Sequence, residues 1–137
     1  MFLETIINDA IHVGEAERRS ASALTGTWRN RLGSVMRIEV ERDHRIHGTL
    51  QTGVGGETSS KEYAVAGFAE GDAVSFCVDF GRSGSVAAWA GHHLSDASGE
   101  RIVTLWHLAQ PVRDPHGEKD VWSAVIAGAN EFTRVDD

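Results

Sequence analysis

The stretch that decides the fold is Gly26-Thr27-Trp28-Arg29-Asn30-Arg31-Leu32-Gly33-Ser34. It predicts a strand, a tight glycine turn and the start of a second strand. Because successive side chains of a strand point to opposite faces, Trp28, Asn30 and Leu32 share one face. A tryptophan favours burial of that face, so we expect the Asn30 amide to be carried inside with it. Ser34, just past the turn, is expected to point toward the same interior.

An amide and a hydroxyl carried into a protein interior require hydrogen-bond partners. One interpretation is that Asn30 and Ser34 form a satisfied polar pair that closes the turn. The other interpretation is that a ligand supplies the partners. The stretch by itself leaves both open.

After Leu24 the chain runs in short segments of alternating apolar and polar residues, and turn residues separate these segments about every ten positions. This pattern predicts an all-β fold, an eight-stranded antiparallel up-and-down β-barrel, because closure leaves no free sheet edge. A barrel of this size holds core side chains or one small ligand. The fourth strand is predicted from Glu62 to Phe68, and the eighth lies within Asp120 to Thr133. The side chains expected to share the inward face are Met36, Ile38, Val40, Ile46, Gly48, Leu50, Thr52, Val74, Phe76, Val78, Phe80, Ser85, Ala87, Trp89, Ile102, Thr104, Trp106 and Leu108. On the eighth strand Trp122, Ala124 and Ile126 are expected to lie in one phase.

The first 23 residues form a segment of different character. Residues 2–13 place apolar side chains at helical spacing with acidic groups opposite, Gly14 is a plausible stop, and residues 15–23 have the composition of a linker. We therefore predict an N-terminal amphipathic helix and linker over residues 1–23 and a barrel over residues 24–137. The helix is expected to dock on the barrel or on a neighbouring subunit, or to act as a lid over a binding mouth.

Composition excludes several classes of function. A net charge of −7 and a pI near 5.4 argue against nucleic acid and anionic membranes as partners, since both recruit basic surfaces. Cys77 is the single cysteine, so no intramolecular disulfide forms. The N-terminus lacks the basic region of a signal peptide. This favours a cytoplasmic protein, or a secreted one if the N-terminus has been processed or re-engineered.

The chemistry-bearing residues indicate binding without catalysis. The seven histidines show no metal-ligand spacing, and the adjacent His92 and His93 would face opposite sides of a strand. The inward set contains no nucleophile–base pair and no paired carboxylates, so neither an enzyme nor a cofactor is predicted. It combines aromatic side chains with neutral hydrogen-bonding groups, which is typical of a site for an uncharged small molecule.

Several short motifs follow one another along the barrel region. They are Leu24-Thr25-Gly26-Thr27-Trp28, Asn30-Arg31-Leu32-Gly33-Ser34, Gly48-Thr49, Val54-Gly55, Ser85-Val86-Ala87-Ala88-Trp89-Ala90-Gly91, Thr104-Leu105-Trp106-His107-Leu108, and Trp122 followed by Gly128-Ala129-Asn130-Glu131-Phe132-Thr133. In this order and spacing they resemble the avidin/streptavidin family of biotin-binding barrels. The resemblance covers Leu24 to about Val135.

The resemblance implies that biotin binds in the open end of the barrel. By position, Asn30 and Ser34 would donate hydrogen bonds to the ureido oxygen of biotin. Thr52 and Asn130 would accept from the two ureido N–H groups. Asn130 stands where the family uses Asp or Asn, and a neutral amide is the weaker acceptor of the two.

The remaining implied contacts surround the ring and the side chain of biotin. Aromatic walls would come from Phe80, Trp89 and Trp106, and the valerate carboxylate would meet Ser85 and the backbone near Gly56. The implied ligand set is Asn30, Leu32, Ser34, Leu50, Thr52, Val54, Gly56, Phe80, Ser85, Ala87, Trp89, Trp106, Leu108 and Asn130. Trp122 matches a tryptophan that caps the site of a neighbouring subunit, which implies a homotetramer, with a homodimer as the alternative.

Two departures from the family pattern imply weaker binding than in streptavidin. Leu50 stands where the family usually has a tyrosine that donates to the ureido oxygen, and Ala87 stands where it usually has a threonine near the sulfur. Each lost hydrogen bond costs about 1–3 kcal/mol, and each ~1.4 kcal/mol is tenfold in affinity. Two alternatives stay open: a carrier of the same fold for another small heterocycle, and an interaction scaffold with a vestigial pocket.

Overall fold

The barrel consists of eight strands, each paired with its neighbours in sequence and closed by the pairing of the first with the last. The computed structural model of the protein describes residues 2–10, 21–53, 61–114 and 116–136. The strands are β1 (Gly26–Asn30), β2 (Val35–Val40), β3 (Arg45–Gln51), β4 (Glu62–Glu70), β5 (Ala73–Asp79), β6 (Val86–Asp96), β7 (Gly99–Ala109) and β8 (Val125–Arg134). All pairings are antiparallel, and Asn30 lies opposite Phe132 where the barrel closes. The predicted all-β up-and-down barrel is confirmed.

Alternation along each strand separates the core from the surface. On β5, Val74, Phe76 and Val78 are buried whereas Ser75 and Cys77 between them are exposed. The predicted inward positions of β2 and β3 are buried or half-buried in the same way. Burial of a large apolar side chain contributes about 1.5–3 kcal/mol, so this alternation provides the main stabilisation of the barrel.

The two ends of the barrel differ. At the closed end a 3₁₀ helix (Ala21–Leu24) buries Leu24 completely, and the Trp28 indole Nε1 donates to the Leu24 carbonyl at 2.9 Å. The Arg134 guanidinium lies 4.3 Å from the centroid of the Trp28 ring. The opposite end, here called the mouth, is formed by the segments that follow β1, β3, β5 and β7.

A charged cluster also lies at the closed end. Glu100 forms an ion pair with Arg134, and its Oε1 lies 3.1 Å from Nε2 of His93. The hydrogen bond from Arg134 holds the pKa of Glu100 below its ordinary value. His93 is only 1% exposed and packs edge-on against Trp28, whereas His92 is exposed. The two histidines therefore face opposite ways as predicted, but His93 adds an ionisable group to an interior expected to contain few.

The start of the eighth strand was predicted wrongly. Residues Glu118–Ser123 form a short helix, α2, and β8 begins only at Val125. The β7–β8 ladder starts where Ala109 pairs with Val125, so the residues between them have no strand to pair with. Trp122 lies on α2 and is 73% exposed, whereas Ile126 lies on β8 and is 44% exposed, so the two residues do not share one strand phase.

The N-terminal helix, α1 (Leu3–Ala10), agrees with the predicted segment where it is described, and the predicted residues 11–13 lie outside the described part. Its apolar side chains Leu3, Ile6 and Ile7, and Phe2 just before it, are exposed rather than packed on the barrel of the same chain. In the described ranges of the chain, no helix has the length and apolar character needed to cross a membrane.

Candidate functional site

The turn after β1 determines how Asn30 is oriented. Its Oδ1 accepts hydrogen bonds from the backbone N–H of Leu32, at 3.1 Å, and of Ser34, at 2.9 Å. Gly33 completes the turn with a φ of 88°, which residues with a side chain rarely adopt. The strand therefore ends at Asn30, its alternation stops there, and Leu32 is 70% exposed instead of sharing the buried face with Trp28.

The Asn30 side chain closes the turn, as the first interpretation predicts, and the interpretation that a ligand supplies further partners stays a prediction. The acceptor end of the Asn30 amide closes the turn, which leaves the Nδ2 group as its donor. Ser34 is 8% exposed, and its Oγ accepts from the backbone N–H of Gly53 at 3.0 Å. A hydroxyl that already accepts one bond can still donate its proton. The backbone contacts use only the acceptors of these two side chains. The Asn30 Nδ2 group and the Ser34 hydroxyl proton therefore remain as donors at the mouth.

The mouth contains a cavity of about 630 Å³. This volume lies within the range of about 300–1,000 Å³ found for small-molecule sites. Its inner wall belongs mainly to β6, β7 and β8. Of the predicted site residues, those that line the cavity are Leu32, Phe80, Ala87, Trp89, Trp106, Leu108 and Asn130.

Aromatic side chains form the apolar wall. The Trp89 ring stacks on Phe76 with centroids 5.1 Å apart and planes 14° apart. Its Nε1 is buried and has no hydrogen-bond partner among the described residues, a situation that costs about 1–3 kcal/mol unless a ligand acceptor meets it. Trp106 lies over Gly128 on the paired strand, and a Cβ atom at Gly128 would overlap the indole. Gly128 therefore makes room for Trp106.

Asn130 lies on β8, the strand that closes the barrel by pairing with β1. Its backbone carbonyl accepts a hydrogen bond from the Thr104 hydroxyl at 2.9 Å, which ties β8 to β7 beside the cavity. Thr104 is 3% exposed and lines the cavity too. Together with the donors of the turn, Asn130 surrounds the cavity with neutral hydrogen-bonding groups.

The other predicted site residues lie around the cavity rather than in its lining. Ser34, Leu50 and Ser85 are buried, and Asn30 and Thr52 are half-buried. The Ser85 backbone carbonyl accepts from the Phe80 N–H at 2.9 Å, which shapes the segment between β5 and β6. Val54 and Gly56 lie outside the described residues. Trp122 is 73% exposed and lies on α2, part of the segment between β7 and β8 at the mouth.

Sequence reasoning missed several residues of the lining. Thr104 already belonged to the inward phase of β7, so its phase could have identified it. Arg31 and Glu131 also line the cavity, Glu131 is ion-paired with Arg101, and no pattern in the sequence indicated either residue. Within the described ranges, no group of three or more His, Cys, Asp or Glu residues could hold a metal ion.

Comparisons with known proteins agree with this geometry. The sequence profile of the Avidin family matches residues 18–135. Avidin-related protein 4/5 of Gallus gallus is 32% identical over 120 residues, covering 82% of this chain and 78% of the relative. Avidin-related protein 6 of Gallus gallus is 32% identical over 119 residues, covering 82% and 77%.

Solved structures show the same similarity. The structure named AVR2 has a TM-score of 0.72 and 29% identity, covering 87% of this chain and all of that chain. The crystal structure of Xenavidin has a TM-score of 0.69 and 31% identity, covering 82% and 97%. An X-ray structure of a biotin binding protein from chicken has a TM-score of 0.70 and 30% identity, covering 82% and 96%.

Proposed function

Because this chain belongs to the avidin family, we propose that it binds biotin without covalent chemistry, in the cavity at the mouth of the barrel. Proteins of the family are non-enzymatic and need no cofactor, so the expectation of a non-catalytic protein is confirmed by membership. One similar protein carries biotin binding in its own description.

The observation that carries the proposal is the orientation of Asn30. Two backbone N–H groups occupy its Oδ1, so the side chain offers only donors to a ligand. Ser34 offers its hydroxyl proton for the same reason. Two convergent donors suit a carbonyl oxygen with enhanced negative charge, as in a urea, and the ureido group of biotin has such an oxygen.

The walls suit the rest of the ligand. Trp89 and Trp106 provide flat apolar surface for the fused rings, and Asn130 and Thr52 provide acceptors for ring N–H groups. The carboxylate of the ligand is expected to lie toward Ser85, as the resemblance implies, and Ser85 is 8% exposed. These assignments are part of the proposal.

We further propose that the affinity is lower than that of streptavidin. Leu50 is 4% exposed and Ala87 is 3% exposed, so each apolar side chain occupies an interior position where the resemblance implies a hydroxyl. The same replacement supports the alternative of a carrier for another small heterocycle, because it reduces the polarity of the interior next to the site.

A titration of biotin by calorimetry tests the proposal. We expect saturation at one biotin per subunit, with pentanoic acid, which has the side chain of biotin but no ureido ring, as the control ligand that gives no comparable heat. A folded barrel that gives no heat with biotin would contradict biotin binding. If a different heterocyclic compound stabilises that barrel, the alternative of a carrier for another ligand is favoured. If no heterocyclic compound stabilises it, the alternative of an interaction scaffold is favoured.

The assembly is proposed to be a homotetramer, with a homodimer as the alternative. The outer face of β6 to β8 exposes Val86, Val103, Leu105 and Val125, and contiguous apolar surface of this kind marks protein interfaces. Trp122 is exposed on α2 near the mouth, where a second subunit could receive it. Light scattering after size exclusion tests this: Leu105→Lys should dissociate the assembly, and an unchanged mass would place the interface elsewhere.

The cytoplasmic location predicted from the N-terminal residues is likewise kept as a proposal. Cell fractionation of the source organism tests it, and recovery of the protein outside the cells would contradict it.

A further inference from the structure

Tyr63 faces the barrel interior beside the proposed site. It is half-buried between the exposed residues Glu62 and Ala64 and packs against the core. Its ring makes an edge contact with Phe80, with centroids 5.0 Å apart and planes at 65°. Because Phe80 lines the cavity, this contact places the Tyr63 ring next to the ligand space.

The strand register relates Tyr63 to the polar residues of the mouth. Leu50 pairs with Tyr63 on one side and with Met36 on the other. Asn30 and Ser34 face each other one pleat nearer the mouth, where the Asn30 N–H donates to the Ser34 carbonyl at 3.0 Å. Thr52, two residues beyond Leu50, continues this polar row and is the diagonal neighbour of Tyr63. Diagonal neighbours are about 7–8 Å apart, within reach of an aromatic side chain.

The hydroxyl of Tyr63 is available for a ligand. Within the described part of the chain, the interaction that Tyr63 makes is its ring contact with Phe80, and its hydroxyl has no hydrogen-bond partner there. A leucine at position 50 is shorter than a tyrosine, so no second phenol occupies the space between Tyr63 and the polar row.

We propose that the Tyr63 hydroxyl donates a hydrogen bond to the same ligand carbonyl oxygen as Asn30 and Ser34. It thereby supplies the third donor that the resemblance places at Leu50. This inference rests on the proposed binding of biotin, and it makes Tyr63 a residue that determines affinity for ligands with a urea-like carbonyl.

The substitution Tyr63→Phe tests the inference because it removes the hydroxyl and keeps the ring against Phe80. We expect the dissociation constant for biotin to rise about tenfold, which corresponds to roughly 1.4 kcal/mol. The substitution Leu50→Tyr should raise affinity more in the Tyr63→Phe background than in the wild type, because it then restores a missing phenol. Thr49→Val is the matched control, since it removes a hydroxyl from the outer side of β3 next to Leu50.

The outcomes separate this inference from the proposed function. If the wild type does not bind biotin, the proposed function fails and the inference falls with it. If the wild type binds and Tyr63→Phe stays within threefold of it, only the inference fails. If Tyr63→Phe weakens biotin and a biotin analogue with a carbonyl-free ring equally, Tyr63 acts by packing, which also overturns the inference.

Discussion

The substitution Asn30→Asp separates the contact of the Asn30 side chain with the turn from its proposed contact with the ligand. A carboxylate has nearly the same shape as the amide and still accepts from the backbone N–H groups of Leu32 and Ser34. Hydrogen bonds to a charged acceptor are stronger than neutral ones, so the turn is retained. The Nδ2 donor, which we propose faces the ligand, is replaced by an oxygen that repels a carbonyl.

The expected magnitudes follow from these contacts. Loss of the donor in a partly buried site costs about 1–3 kcal/mol, and the repulsion favours the upper end, so biotin affinity should fall roughly 150-fold. The free energy of unfolding should change by less than about 1 kcal/mol, because both turn hydrogen bonds persist. Asn30→Ala, which loses both, should lower the free energy of unfolding by about 1–2 kcal/mol.

Calorimetry at pH 7 measures the affinity, and urea denaturation measures the stability of the three proteins. Affinity of Asn30→Asp within threefold of the wild type would show that the Nδ2 group does not meet the ligand. Equal destabilisation by Asn30→Asp and Asn30→Ala would show that the turn does not depend on the acceptor, and either result would refute the reasoning.

Three other variants test the cavity wall and the closed end. Leu50→Tyr combined with Ala87→Thr should tighten biotin binding at least tenfold by calorimetry, since each adds a hydroxyl (about 1 kcal/mol each); unchanged affinity would contradict the roles given to these positions. Gly128→Ala should push Trp106 into the cavity and weaken biotin binding about tenfold or more while the barrel stays folded, because overpacking costs about 1–3 kcal/mol. An unshifted tryptophan fluorescence spectrum together with wild-type affinity would contradict this displacement of Trp106. Glu100→Gln should lower the free energy of unfolding at pH 7 by about 1–2 kcal/mol. The pKa of Glu100 is lower in the folded than in the unfolded protein, so the ion pair stabilises the fold above the unfolded pKa and stops doing so as the pH falls through the lower folded value. The free energies of unfolding of the wild type and Glu100→Gln should therefore converge in acid. A difference that stays constant with pH would contradict the ion-pair assignment.

Some parts of the site were predictable from local patterns. The period of two along β2, β3 and β5 is enough to identify their inward side chains from the amino-acid sequence. The same period failed for Leu32 and Trp122, because alternation requires a continued strand. Asn30 ends β1 through its side chain, and the residues before Val125 have no partner strand.

Other parts depended on contacts between distant residues. Neither Tyr63 nor His93 carried a motif, and their positions became informative only through neighbours on other strands: Phe80 for the first, Trp28 and Glu100 for the second. The position of the cavity against β6 to β8 likewise depends on the closure of the barrel. Closure determines which of the inward side chains line the cavity and which pack in the core.

The amino-acid sequence by itself determined the barrel, the family and the candidate polar residues, because strand alternation and motif order are properties of short stretches. Only the tertiary structure decided what Asn30 and Ser34 can offer a ligand. Oδ1 of Asn30 is occupied by the turn, and Oγ of Ser34 is occupied by the N–H of Gly53, 19 positions along the chain. A side chain with both donors and acceptors presents to a ligand whichever of them the fold has not used, and the folded backbone makes that selection.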